Sequence, residues 1–381
     1  MKITSIENVR TTKPIPLPGE YREAWFQPDG GGKTAYGVEY LKISTDEGII
    51  GIGPGSTVDG YVRRLLIGSD PFKTEEFWHA AMRGLDVYAR GFYGGIDVAL
   101  WDLIGKAAGL PTYKLLGSKA DKIKVYAATS RLCAPEEHVE QVKYIMSQGF
   151  KAVKLRFHRP DYKDELKVVE AVRKACGDEI MLMVDGNQNH RSKNYQHWSR
   201  ETARYLCAGL QELGVYFFEE PLNRFDYDGL AKLSAEFDMY IAGGEHCQHI
   251  YEFKEHFKQN TYDVIQPDVI LGDVGITGII KLGHAAEFYD KLIIPHVCGL
   301  GGMSFNFAGC AAAAVGLNNC PIIEFPFDPP FLTTETQMFF LKNKFVVDAD
   351  GYVLMPQTPG IGIELDYDAL REWGLDDRQL F

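Results

Sequence analysis

The 381-residue chain contains no run of about 18 consecutive apolar residues, so nothing in it reads as a membrane span. Its opening, MKITSIENVRTTK, lacks the apolar stretch of a secretory leader, and the expected location is the cytoplasm. Seven cysteines are present, at positions 133, 176, 207, 247, 298, 310 and 320, but no CxxC pair. That odd, unpaired set argues against a disulfide scaffold or a zinc site and for reduced, mostly buried thiols. An excess of positive charge is missing too: 40 Lys and Arg face 52 Asp and Glu, a net charge of -12. Binding to a phosphate backbone needs a basic face, so no nucleic-acid partner is expected. No GxGxxG follows the first strand-like run and no GxxxxGK[ST] occurs, which removes the dinucleotide and P-loop readings.

What is present is ordinary for a globular protein, at 45% hydrophobic and 24% charged residues. From Lys124 onward, short β-rich runs recur: KVYAAT, AVKLRF, IMLMVD, VYFFEE, MYIAGGE, DVIQPD, LIIPH and PIIEF. Helix-patterned stretches such as DELKVVEAVRKACG and SRETARYLCAGLQELG separate them. Strand and helix in alternation mean a parallel sheet, and eight such units fit a TIM-type α/β barrel, usually ~250 residues long.

The run IMLMVDGNQN shows why the strand ends matter: an apolar strand finishes abruptly in an acid, a glycine and amides. The same happens along the chain, with Lys154 and Arg156, Asp185 and Asn187, Glu219, Glu245, Asp268, His296 and Glu324 closing successive strands at intervals of 23 to 34 residues. In a barrel all these ends face one mouth, so the series becomes a ring. Three acids on neighbouring strands, Asp185, Glu219 and Glu245, repel one another unless something positive lies among them. An all-oxygen set suits Mg2+, while pairing with a nearby Lys or Arg is the plainer alternative. Asp268 and His296 end adjacent strands and suit a dyad in which the carboxylate fixes the imidazole for proton transfer, although a strand-end histidine is often only structural. Lys154, with Arg156, is placed to bind a substrate carboxylate, and a protonated Glu324 to hydrogen-bond a developing enediolate. Together these groups point to abstraction of a proton next to a carboxylate.

The ring resembles the mandelate racemase branch of the enolase superfamily, over nearly the whole chain. GGIDVALWDLIGKAAGLPTYKLLG (Gly94 to Gly117) is similar to a signature of that family's N-terminal cap. GFKAVKLR resembles its K-x-K strand, VDGNQ, FFEEP and AGGE its three metal strands, and QPD with IPHVCG its Asp-His pair. The resemblance implies a (β/α)7β barrel at 124–330, an α+β cap at 1–123 and a segment, 331–381, that completes the cap. It implies that Asp185, Glu219 and Glu245 hold Mg2+, that Asn187 lies near the substrate and that Asp268 and His296 form the acid/base dyad. Cap loops at about Pro16 to Lys33 and Gly53 to Asp59 would choose the substrate, with Tyr21, Arg22 and Trp25 as contacts and His246 as a further one. Homo-oligomers are common in the family, so one is expected here.

One departure shapes the expected reaction. Where the family's strand carries a second lysine, this chain has Arg156, and a guanidinium is a poor base near neutrality. A racemase needs a base on each face of the carbon, whereas a dehydratase works with one. The resemblance therefore favours dehydration of a sugar acid (an aldonate or aldarate) to a 2-keto-3-deoxy acid, with His296 moving the proton. The alternatives are an isomerase, either a racemase or epimerase or a lactone cycloisomerase, and a non-catalytic binding protein on the same scaffold.

Overall fold

In the computed structural model, residues 1–84, 93–189 and 194–375 are described. The chain opens with a three-stranded antiparallel sheet, Ile3–Arg10, Glu39–Thr45 and Ile50–Pro54, in that order. Ile6, Leu41 and Ile43 lie on its buried face, against Val62, Leu66, Phe77, Trp78 and Leu103 from the helices Gly60–Leu66, Thr74–Gly84 and Tyr93–Ala108. The glycines of the strand IGIGP have a packing reason: a Cβ on Gly53 would run into Gly95 and Ala99, because the third helix lies directly on that strand.

The second part is a curled sheet of eight parallel strands: Lys122–Ala128, Ala152–Arg156, Met181–Asp185, Phe217–Glu219, Tyr240–Gly243, Val264–Ile265, Leu292–Ile293 and Ile323–Pro326. Consecutive strands pair from the first to the seventh, and the eighth pairs with the first. The seventh is tied to the loop that leads into the eighth, where Ile293 N donates to Asn319 O at 3.2 Å. One interior cluster, comprising Tyr126, Ala128, Ala152, Met183, Phe217, Ala242, Val264, Ile294 and Ile322, draws on all eight strands or the residues abutting them. That is the filled interior of a barrel, not one face of an open sheet. Seven helices alternate with the strands, so the expected (β/α)7β barrel under an N-terminal cap is the observed fold. The last of these helices, Met303–Ala314, is buried on every side, as its small and apolar sequence MSFNFAGCAAAA allows.

The segment after the barrel packs on the N-terminal hairpin at once, Phe331 against Tyr21 with ring centroids 5.2 Å apart, and Tyr352–Leu354 then pairs antiparallel with Lys122 to Lys124. It then returns to the N-terminal part, where Lys13 N donates to Trp373 O at 3.1 Å and Ile361 N to Asp102 Oδ1 at 2.9 Å. Residues 376–381 lie outside the described residues. Among those described, no helix is long and apolar enough to cross a membrane.

Cap and barrel meet at two buried acids. Asp273 accepts from Gly94 N at 2.7 Å, at the start of the helix Tyr93–Ala108. Asp97, one turn on, accepts from Thr277 N at 2.8 Å and Thr277 Oγ1 at 2.9 Å. Burial pushes the Asp97 carboxyl up to about 7, against the opposing pull of those hydrogen bonds. In the unfolded chain an aspartate ionises near pH 4, so the stability this acid contributes is complete below ~pH 4 and lost as the pH rises to about 7. Asp97→Asn, which mimics the neutral acid, is therefore expected to melt close to wild type near pH 4 and above it by about pH 8, where wild type must hold a buried charge or a proton. Paired melting curves at the two pH values check this.

Candidate active site

Strand alternation and register assemble the site. Ala152, Met183 and Phe217 point into the barrel, so Lys154, Arg156, Asp185 and Glu219 follow at the next levels toward the mouth. Register sets Arg156 beside Asp185 and Asp185 beside Glu219 on three adjacent strands. The Arg156 Nη1 donates to Asp185 Oδ2, and Lys154 Nζ lies 2.6 Å from Glu219 Oε2 and 3.2 Å from Glu324 Oε1. Pairing of the acids with neighbouring cations, the plainer alternative for these residues, is thus realised for Asp185 and Glu219.

It does not neutralise the set. Asp185, Glu219 and Glu245 each offer an oxygen within 4.8 Å of the others, all three are buried, and Glu219 Oε1 has no hydrogen-bond partner. Burial, with the Asp185, Glu245 and Glu324 carboxylates, pushes Glu219 up to about 8 in spite of Lys154. Buried oxygens at this spacing, short of positive charge, are a donor set that a hard divalent cation fits. A second group, Glu220, Glu245 and His246, shares Glu245 with the first.

The expected dyad has tight geometry. His296 Nδ1 is 2.7 Å from Asp268 Oδ2, and Asp268 is itself fixed by Ile270 N at 2.6 Å, Leu271 N at 2.8 Å and Cys298 N at 3.1 Å. Its other ring nitrogen, Nε2, lies 2.9 Å from Glu245 Oε2. Burial opposes a charge on His296, but Glu245, Glu324 and Asp268 outweigh it and hold the imidazole well above its ordinary pKa. With a carboxylate at each nitrogen, this ring is an imidazolium. For Glu324 burial is likewise outweighed, by Lys154, His296 and Arg156, so it is held below the ordinary range as a carboxylate. The protonated form from which it was expected to donate is not the form this arrangement favours.

A cavity of about 420 Å3 opens above these groups. Its floor carries Arg156, Glu245, His296 and Glu324, with His246 beside them and Tyr21, Glu23, Trp25 and Lys33 on the cap side. Lys154, Asp185, Glu219 and Asp268 are fully buried and do not line it. Lys154, expected to bind a substrate carboxylate directly, is instead committed to two glutamates beneath the floor. Asn187 does not reach the cavity either: with φ at 51° it turns back and donates to Asp185 from its backbone at 2.7 Å and its amide at 2.9 Å. Arg22 is half-exposed, pairs with Glu20 at 2.8 Å and faces a neighbouring cleft. The reason is local: the cap loop is a hairpin, Ile15–Tyr21 with Lys33–Tyr36, whose connection begins with a 3-10 turn at Ala24–Phe26, so Tyr21 and Glu23 point inward and Arg22 outward. Trp25 covers Arg156, ring centroid to guanidinium 5.0 Å. Glu23 and Lys33 were not singled out from the sequence, where nothing separates one charged loop residue from the next.

Comparison with known proteins places the arrangement. Residues 33–117 match the mandelate racemase / muconate lactonizing enzyme N-terminal domain, and residues 137–369 the enolase C-terminal domain-like family. An arabinonate dehydratase of Saccharolobus solfataricus is 27% identical over 87% of this chain and 89% of its own. A D-galactarolactone cycloisomerase of Agrobacterium fabrum is 28% identical over 88% and 91%. The crystal structure of D-glucarate dehydratase from Agrobacterium tumefaciens, complexed with magnesium, superposes with a TM-score of 0.82 at 26% identity, covering 98% of each chain. The chain belongs to the mandelate racemase / muconate lactonizing enzyme family of the enolase superfamily.

Proposed function

We propose that this protein is a Mg2+-dependent dehydratase of sugar acids. The observation that carries the reading is the Asp268-His296 dyad, whose imidazole lines the cavity floor opposite an arginine already committed to Asp185, beside three buried carboxylates. Asp185, Glu219 and Glu245 would hold the metal. Bound there, Mg2+ would supply Lewis-acid stabilisation of the charge that builds on the substrate carboxylate.

The chain's own groups supply the rest. As a metal ligand Glu245 would no longer be the partner of His296 Nε2, which would then face the cavity, while Asp268 keeps Nδ1 in place. His296 takes the proton α to the carboxylate and returns a proton to the departing β-hydroxyl, which leaves as water. The enol left behind tautomerises to the 2-keto-3-deoxy acid. Arg156 remains a fixed cation rather than a second base, and Lys154 balances Glu219 and Glu324 from below. Residues 1–123 with 331–381 would act as the cap that excludes water during these steps. A second reading, a cycloisomerase, is favoured by the relative of that activity at 28% identity. It needs a proton moved at the same carbon but no loss of water.

The two differ in product mass. Purified protein with Mg2+ is presented with aldonic, uronic and aldaric acids in D2O, following 2-keto acid and the α-proton signal together. Keto-acid formation is expected. A product of unchanged mass would replace dehydration by isomerisation, and no turnover or exchange with any acid would overturn the enzymatic reading.

A further inference from the structure

Every described cation that lines the cavity already faces a carboxylate. Arg156 is held by Asp185, His296 by Asp268 and Glu245, and His246 by Glu245, with its Nε2 2.9 Å from Oε1. On the cap side, Lys33 Nζ lies 2.7 Å from Glu23 Oε1. Glu23 is the acid that the described cap residues contribute to the cavity, and it is buried, whereas Lys33 is half-exposed. The loop that carries Glu23 is pinned to the barrel just after it. Ala24 N donates to Ser130 O at 2.7 Å, Asn194 N donates to Asp29 Oδ2 at 2.8 Å, and Trp25 sits over Arg156.

We infer that Glu23, held across Lys33 on the cap-side wall, makes this a site for sugar acids with one carboxylate: it accepts hydrogen bonds from hydroxyls at the far end of the chain and rejects a second carboxylate there. The inference rests on the sugar-acid reading above and narrows its substrate class to aldonates over aldarates. A distal carboxylate would have to take Lys33 from Glu23 and leave a buried carboxylate unpaired, or crowd two carboxylates onto one ammonium. A hydroxyl does neither, since it donates to Glu23 and accepts from Lys33. Selectivity here comes from a repulsive group as much as from an attractive one.

The test is calorimetric binding in Mg2+ of each pentonic and hexonic acid against the aldaric acid of the same configuration, using the otherwise intact His296→Asn protein so that nothing turns over. The aldonate is expected to bind tighter by on the order of a hundredfold. Adding Glu23→Gln should shrink that ratio at least ~10-fold, because the neutral amide no longer repels the second carboxylate. Adding Lys33→Met should widen it, because Glu23 is then unneutralised. A merely structural role for Glu23 would lower both affinities and leave the ratio where it was. Aldarate binding as tight as aldonate binding, or a ratio unmoved by Glu23→Gln, would overturn the inference while leaving the sugar-acid reading standing. Should Glu23→Gln fail to fold, the ratio with Glu23 in place still decides. Binding of neither series would overturn both.

Discussion

His296→Asn is expected to lower kcat by about 10³- to 10⁴-fold, the largest single loss available from one side chain here. The size follows from the absence of a substitute. Across the cavity floor the other group at the level of a base is Arg156, whose guanidinium is held by Asp185 and whose pKa lies above even the usual arginine value: burial works against its charge, but Asp185, Glu324 and Glu219 outweigh it. Among the described residues that line the cavity the other imidazole is His246, and its Nε2 is held by Glu245 at 2.9 Å, so neither it nor Arg156 is poised to take the proton when the His296 imidazole is gone. Asparagine leaves the scaffold intact, because Asp268 retains its three backbone donors from Ile270, Leu271 and Cys298. KM should consequently move little compared with kcat, and α-proton exchange in D2O should fall in step with turnover. Retention of kcat within about tenfold of wild type would remove His296 from the mechanism. Loss of dehydration with exchange intact would reassign it from base to acid alone.

How legible was this site before the fold? The ring of strand ends was, because a barrel turns a repeat of polar termini along the chain into neighbours in space, and both the Asp268-His296 contact and the cluster of three acids emerge where the repeat put them. All eight β-rich runs became strands for the same reason: inward positions such as Ala152, Met183 and Phe217 had to be apolar to fill the interior. At three residues the structure adds what strand ends and loop composition do not carry. The resemblance sets Asn187 near the substrate, but the strand stops at Asp185 and the left-handed backbone two residues later turns the amide back. Lys154 was read as facing substrate because its strand ends at the mouth, yet it lies one level deeper than Arg156, where Glu219 and Glu324 claim it. Arg22 and Glu23 are adjacent in sequence, and only the turn after Tyr21 decides that one faces water and the other the cavity. Depth along a strand and the sense of a turn are tertiary facts; the identity of a strand-end residue is not.

The second large effect concerns the carboxylates, and it has a thermodynamic readout that needs no substrate. Mg2+ is expected to raise the melting temperature of the wild-type protein, since a ligand that binds the folded state alone stabilises it by about 2.7 kcal/mol at ~100 times its Kd. Glu219→Gln and Asp185→Asn should each abolish that rise and reduce turnover by about 10³-fold or more, because each removes one of the three charges proposed to hold the ion. The wild-type response should also depend on pH with a definite sign. Glu219 is held above the ordinary carboxylate range by burial and by its acidic neighbours, so in the metal-free protein it carries a proton that binding must displace. Affinity for Mg2+ should therefore climb as the pH rises toward 8 and level off above it, with proton release on binding visible by calorimetry in buffers of different ionisation enthalpy. The Lys154 ammonium, 2.6 Å from Glu219, works in the opposite sense by favouring the carboxylate, so Lys154→Met should move the rise in affinity to higher pH. An Mg2+ response that is flat with pH and survives Glu219→Gln would mean that the ion binds elsewhere. In that case the three acids are a structural ion-pair network with Lys154 and Arg156, and the dyad above them acts without the electrostatic help that the proposed chemistry demands.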